Sequence, residues 1–327
     1  MRVKRLIILT LLAIVLVSTT ACGGGGEEQV TPSPPQVHFP EDEGSHPGIL
    51  TEWWYGNFSL ADPEGKEYGA MVAYFNSGQR ILSISDLEAK VFYHEVADST
   101  QDYAEGILNL RWGTSDHWFR TDPDSLSYHL ESYGTEICLN LSLNSNKLPL
   151  LVGGDGLIEW TYGSSYYYSL TRLQVEGQIE LAGRVIDVGG IGWMDHQWMN
   201  CVIVRGWDWF SVQLDNQAEI IFWQIVNRDE SIDSQDMTIM FPDNSVYHTQ
   251  DFTLEKIDSW VSPESGKAYG ILWRLQEEIN DLDLEIRARY PEQEIRGNFW
   301  EGNTTVSGTL TGEVVSGVGY AELVHPW

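Results

Sequence analysis

The sequence predicts an all-β, antiparallel protein built of barrels or sandwiches, and three observations predict it. From Phe39 onward, apolar residues recur with a period near two in short runs, as strands with one buried face require. Gly, Asn, Asp and Pro break those runs, and these are the residues that turn a chain. A sustained 3.6-residue period is nearly absent, apart from short turns expected near Pro263 to Gly266. Many short, evenly spaced strands without long helices close into barrels or pack as sandwiches.

The first segment supplies an address. Arg2, Lys4 and Arg5 precede an apolar run from Leu6 to Val17, and Ser18-Thr19-Thr20-Ala21-Cys22 follows. This reads as a signal peptide over residues 1–21 that ends at a lipidation site, Cys22. The apolar run is short for a transmembrane helix. Ordinary secretion after cleavage near Cys22 is the plainer alternative. Gly23 to Gly26, Glu27, Glu28 and the Pro-rich stretch Thr31 to Pro35 cannot bury apolar surface, so residues 22–37 are expected to form a flexible tether. The expected location is extracytoplasmic, with a folded body anchored to the membrane as a lipoprotein.

The remaining body exceeds what one compact core usually takes, and it is divided here into domains at 38–190 and 191–327. Setting aside Arg2, Lys4 and Arg5 leaves 16 basic against 48 acidic residues, a formal charge of −32. Such a surface repels phosphate backbones, so nucleic acid is excluded as a partner. Cys138 and Cys201 lie in apolar surroundings, and the sequence leaves open one disulfide or two buried thiols.

Expected strands in the first half are Trp53 to Leu60, Gly69 to Phe75, Leu87 to Val96, Ile137 to Leu143, Leu157 to Tyr162 and Tyr166 to Leu173. The second half offers Trp207 to Leu214, Ala218 to Val226 and Met237 to Phe241, with turns at Asp215-Asn216 and Pro242-Asp243-Asn244. Gly270 to Leu275 and Leu282 to Arg289 suggest a hairpin around Asn280-Asp281. The 14 Trp and 15 Tyr exceed what core packing needs, and they point either to a ring-lined cavity or to exposed carbohydrate platforms.

Two words place ionisable groups among large rings: Thr51-Glu52-Trp53-Trp54-Tyr55-Gly56-Asn57 and Gly192-Trp193-Met194-Asp195-His196-Gln197-Trp198. In an extended chain His196 and Trp198 share a face with Met194, while Trp193 and Asp195 point the other way. An imidazole beside an indole can orient an acid that protonates a double bond, with the ring stabilising the cation. The bland alternative is a buried, hydrogen-bonded His196, with Asp195 paired to an arginine. Asp208 alternates onto the face of Phe210, Val212 and Leu214, where burial would keep it protonated. A partner such as Arg172 or Arg205 would instead hold it ionised. Glu52 shares a face with Trp54, Gly56 and Phe58, as a pocket acid or a sheet-rim hydrogen-bonding group. No His-Glu-x-x-His word, nucleophile elbow or phosphate loop occurs, so neither a metal nor another cofactor is expected.

These words, together with Phe39-Pro40, His46-Pro47, Tyr167-Tyr168-Ser169-Leu170-Thr171-Arg172, Trp207-Asp208-Trp209-Phe210, Trp300-Glu301-Gly302 and Gly319-Tyr320-Ala321-Glu322-Leu323, resemble the carotenoid 1,2-hydratase and AttH family. The resemblance implies two lipocalin-like β-barrel or sandwich domains packed together around an apolar cavity. It implies a hydrophobic small molecule, an isoprenoid or other lipid, as the ligand, either hydrated or cyclised without a cofactor or carried beside an ABC transporter. His196-Gln197-Trp198 matches the family's His-x-Trp pair. The Tyr-x-Asp pair would fall near Phe222-Trp223-Gln224, where neither residue is present. The expected catalytic group is therefore Asp195 or Asp208 as acid with His196 as partner, and Trp54, Trp198, Trp209 and Glu52 contact the ligand.

Overall fold

In the computed structural model the described residues are 36–160, 163–201, 205–297 and 299–325. The signal, Cys22 and nearly all of the tether lie outside them. Among the described residues there is no helix, and antiparallel strands form two sheets, one of 13 strands and one of 10. Each curls into a half-barrel, the two-domain lipocalin-like arrangement that the sequence predicts.

The first sheet runs Val91–Asp98, Gln79–Asp86, Glu67–Phe75, Thr51–Ala61, Arg184–Met199, Gly163–Leu181, Ile137–Ser145, and on to Gln101–Tyr103. The second is centred on Glu219–Val226, Gly206–Leu214, Glu313–Val324 and Phe299–Leu310. The changeover falls between Met199 and Gly206, not at 190/191, so Gly192 to Trp198 belongs to the first sheet. Leu87 to Lys90, expected to open a strand, form a turn with Lys90 at φ 55°. Pro263 to Ser265 also turn without forming a helix.

Burial along the strands explains the packing. Ile137–Ser145 alternates between core and solvent, as a strand with one covered face must. The central strands Thr51–Ala61, Glu67–Phe75, Gly206–Leu214 and Glu219–Val226 are buried almost continuously, because both of their faces are covered. One face lines its own half-barrel core, around Phe58, Leu82, Trp118 and Leu141 in the first sheet and Phe210, Phe222, Trp273 and Leu284 in the second. The opposite faces meet in a third apolar cluster that includes Tyr55, Met71, Trp193, Trp209, Ile221 and Tyr320.

Polar bonds stitch the two sheets at this contact. Gln213 donates to the carbonyls of Thr171 at 2.8 Å and Gly192 at 2.9 Å, and fully buried Glu219 accepts from Lys147 and Arg172. A register shift between Leu170 and Leu173 in Gly163–Leu181 marks a bulge, which re-aims side chains locally. Thr171 and Arg172 lie within it. Gly69 permits the closest approach, since a Cβ there would lie 1.7 Å from Asn303 Oδ1.

Candidate functional site

The contact between the sheets is not filled. A cleft of about 500 Å³ remains, walled by Tyr55, Ile158, Tyr167, Trp209, Trp223 and Ile295. Its rim includes half-buried Trp53, Phe75, Trp160, Trp207 and Phe299, so large rings guard its mouth. The volume lies within the ~300–1,000 Å³ of ordinary ligand pockets, and the mostly apolar wall with a few polar groups is typical of them.

Antiparallel register builds the polar part of the wall. Across the first sheet Asp195 faces Tyr55 on one side and Ser169 on the other. Across the second sheet Trp223, Trp209, Glu322 and Glu301 follow one another as direct neighbours. These two rows meet at the cleft. Tyr167 and Trp193, two residues from Ser169 and Asp195 along their strands, share the face by the period-two rule.

Asp195 is 2 % exposed and borders the cleft. Its carboxylate accepts from Ser169 Oγ at 2.5 Å, Trp193 Nε1 at 2.6 Å and Tyr167 Oη at 2.7 Å. Trp209 Nε1 donates in turn to Tyr167 Oη at 3.0 Å. Burial disfavours the charged carboxylate and outweighs these three donors, bringing Asp195 to about 7. The arginine partner considered in the sequence does not arise, since Asp195 is held by neutral donors alone.

His196, the next residue, points into the first half-barrel. It is fully buried, its Nε2 donates to Glu52 Oε1 at 3.0 Å, and its ring stacks on Trp54 at 4.5 Å. His46 Nδ1 donates to the same oxygen at 2.7 Å while its ring stacks on Trp198 at 4.0 Å. Burial pulls the Glu52 carboxyl up, but the bonds from His196 and His46 hold it at about 2. Burial lowers His196, whereas the Glu52 carboxylate raises His46 against the burial of its ring. Glu52, Trp54, His196 and Trp198 thus form a stacked, hydrogen-bonded block behind the sheet; they do not wall the cleft. His46, Glu52 and His196 are also the one trio among the described residues whose potential ligand atoms, within 4.8 Å of one another, could meet on a metal ion. Spacings of six and 144 residues hid it from sequence motifs.

Asp208 is not among the cleft-lining residues. Its Oδ1 is 2.8 Å from His325 Nε2, both side chains being 17 % exposed. Neither arginine considered for it is its partner: Arg172 bonds Glu219, and Arg205 bonds Asn227 and Asp233. Of the other sequence candidates, Trp209 is in the wall. Trp53, Trp160, Trp207, Trp223, Tyr167 and Glu322 join it, and strand pairing rather than any local word places them there. Cys138 and Cys201 are unpaired thiols.

Two curled sheets set back to back with a cleft between them define a two-domain, lipocalin-like protein. The chain belongs to the AttH-like family, whose model matches residues 29–325. It is similar in structure to a protein assigned as AttH from Nitrosomonas europaea, with 25% identity, a TM-score of 0.78, and coverage of 90% of this chain and 99% of that one. It also resembles kievitone hydratase from Nectria haematococca, with 18% identity, a TM-score of 0.72, and coverage of 84% and 89%. No curated protein sequence matches it.

Proposed function

We propose that this protein binds an unsaturated apolar ligand of the isoprenoid class in the cleft between its half-barrels, and that Asp195 exchanges a proton with it. One observation carries the reading: the buried carboxyl of Asp195, brought to about 7, sits in a wall made mostly of indole, phenol and aliphatic groups. Such a group is half protonated at neutral pH, as a general acid should be. In the reaction the Asp195 O–H bond breaks as a C–H bond forms on the alkene. The tertiary cation faces Trp209 and Trp223, and water or an internal alkene captures it, giving an alcohol or a ring. The likeness of fold to a hydratase points the same way by analogy.

Incubation with geranylgeraniol and longer polyenes should yield a water adduct or cyclised product, lost in Asp195→Asn. Ligand bound tightly but recovered unchanged would replace catalysis by carriage, the second role open to a lipoprotein beside an ABC transporter. No binding at all would end the reading. Cys22, with its apolar leader and Gly-rich spacer, supports tethering outside the cytoplasm. Cys22→Ser should move the protein from the membrane fraction to the soluble one, and unchanged membrane retention would exclude lipidation there.

A further inference from the structure

The second sheet places another acid at the same cleft. Glu301 and Glu322 are direct cross-strand partners, and their carboxyl groups lie within hydrogen-bonding reach of one another. Glu322 lines the cleft, while Glu301 behind it is fully buried. Tyr55 Oη donates to Glu301 Oε2 at 3.1 Å and Trp207 Nε1 donates to Glu322 Oε1. No donor from another residue reaches buried Glu301 Oε1.

Two carboxylates in contact need either a cation between them or a proton. The titratable groups around the pair are Tyr55, Tyr167 and Asp195 from the first sheet and Tyr320 and Tyr290 from the second, and all are neutral or acidic. Arg296 is exposed at the rim and gives its guanidinium to the Val96 carbonyl. Among the described residues no Lys, Arg or His forms an ion pair with either glutamate. Burial, and then the neighbouring carboxyl, raise Glu301 well above the ordinary range, and burial raises Glu322.

We infer that Glu301 and Glu322 share a single proton, and that Glu322 is the base that activates the attacking water on the wall opposite Asp195. The inference rests on the proposed reaction and deepens it by separating its two proton transfers. Asp195 gives its proton to the alkene carbon, leaving a cation and an Asp195 carboxylate. As the water oxygen bonds to the cation, its O–H bond breaks and that proton passes to Glu322. The pair then holds two protons, and one returns to the Asp195 carboxylate through water in the cleft. The net change is addition of one water across the double bond. The pair also explains why the cleft carries an acid on each wall: hydration needs a donor and an acceptor, whereas carriage needs neither.

The test has a ligand-free arm and a turnover arm. At pH 8 surface carboxyls and most of Asp195 are ionised, so the shared proton should remain as a carboxylic-acid C=O band in the infrared. That band should shift or vanish in Glu301→Gln and in Glu322→Gln and persist in Asp195→Asn. Both glutamine variants should melt close to the parent, since glutamine keeps the side chain's size and brings an amide N–H that can take the place of the shared proton. No acid band at pH 8, or a band indifferent to both variants, would overturn the shared proton.

In the second arm geranylgeraniol is incubated in D2O. Glu322→Gln should form alcohol ~100-fold more slowly, in line with loss of a general base, yet still place deuterium on the alkene carbon through Asp195. Alcohol formed at the parental rate in Glu322→Gln would overturn the base assignment alone. Absence of deuterium uptake in the parent would instead sink the Asp195 reaction, which keeps the two failures apart.

Discussion

Asp195 and His196 are neighbours in the chain but occupy opposite faces of the strand Arg184–Met199, and their surroundings differ in kind. His196 is sandwiched by indoles, bonded to a carboxylate and fully buried away from the cleft. Asp195 is held by neutral donors at the edge of a 500 Å³ void. The first arrangement gives a carboxylate two imidazole N–H donors and is suited to holding shape. The second leaves a carboxyl balanced between its two protonation states, and such groups gather at functional sites. Aromatic rings beside ionisable groups occur on both faces, so their co-occurrence does not identify a site. The unfilled volume beside the acid does.

The sharpest way to break this contrast is to remove Glu52. Glu52→Ala leaves buried His196 and half-buried His46 without their shared acceptor, and should cost about 3–5 kcal/mol of unfolding free energy in urea, the usual penalty for breaking a buried pair. A loss below measurement would mean that the block is not structural. Its pH signature is equally definite. Because the folded Glu52 carboxyl lies at about 2, below its ordinary 4.5, its stabilisation is complete above about 4.5 and disappears as pH falls toward 2. Glu52→Gln should abolish that acid-side loss.

Asp195 should show the opposite sign. Its folded value of about 7 lies above the ordinary 3.8, so the native state favours the protonated form. Stability should therefore fall as pH rises from about 4 to about 7, by on the order of 4 kcal/mol at pH 8. Asp195→Asn should shrink that decline to the part contributed by Glu301 and Glu322, which burial raises in the same direction, while leaving the Glu52 transition in place. If the variant kept the parental slope, Asp195 would not be the group that titrates there.

Two smaller effects sharpen the picture. Gly69→Ala forces a Cβ toward Asn303, which donates to the Phe58 carbonyl at 3.3 Å, and should cost about 1–3 kcal/mol as overpacking of the inter-sheet contact. Thermal melts would measure it, and an unchanged midpoint would show that the sheets slide freely there. Asp208→Asn, outside the cleft and paired with a partly exposed His325, should change stability by less than about 1 kcal/mol and leave product formation intact. Loss of turnover in that variant would return Asp208 to the chemistry.

What the sequence by itself determined is the fold class, most of the central strands and which side chains share a face within them. Period-two alternation separates Trp193 and Asp195 from Met194, His196 and Trp198 without any knowledge of the neighbours, because a strand's geometry fixes which residues share a face. Only tertiary structure decided what each face meets. Continuous apolar runs such as Ile220 to Trp223 announce burial on both sides but not which side keeps a cavity, and Gln79–Asp86, with charged Arg80 buried against Asp116, escaped the apolar pattern. The partners of Asp195 come from register: Ser169 stands 26 residues away and Tyr167 28. Glu301 meets Glu322 only because two strands pair in one alignment. Burial, which sets whether those carboxyls keep their protons, depends on the second sheet closing over the first, and no local stretch of sequence contains that event.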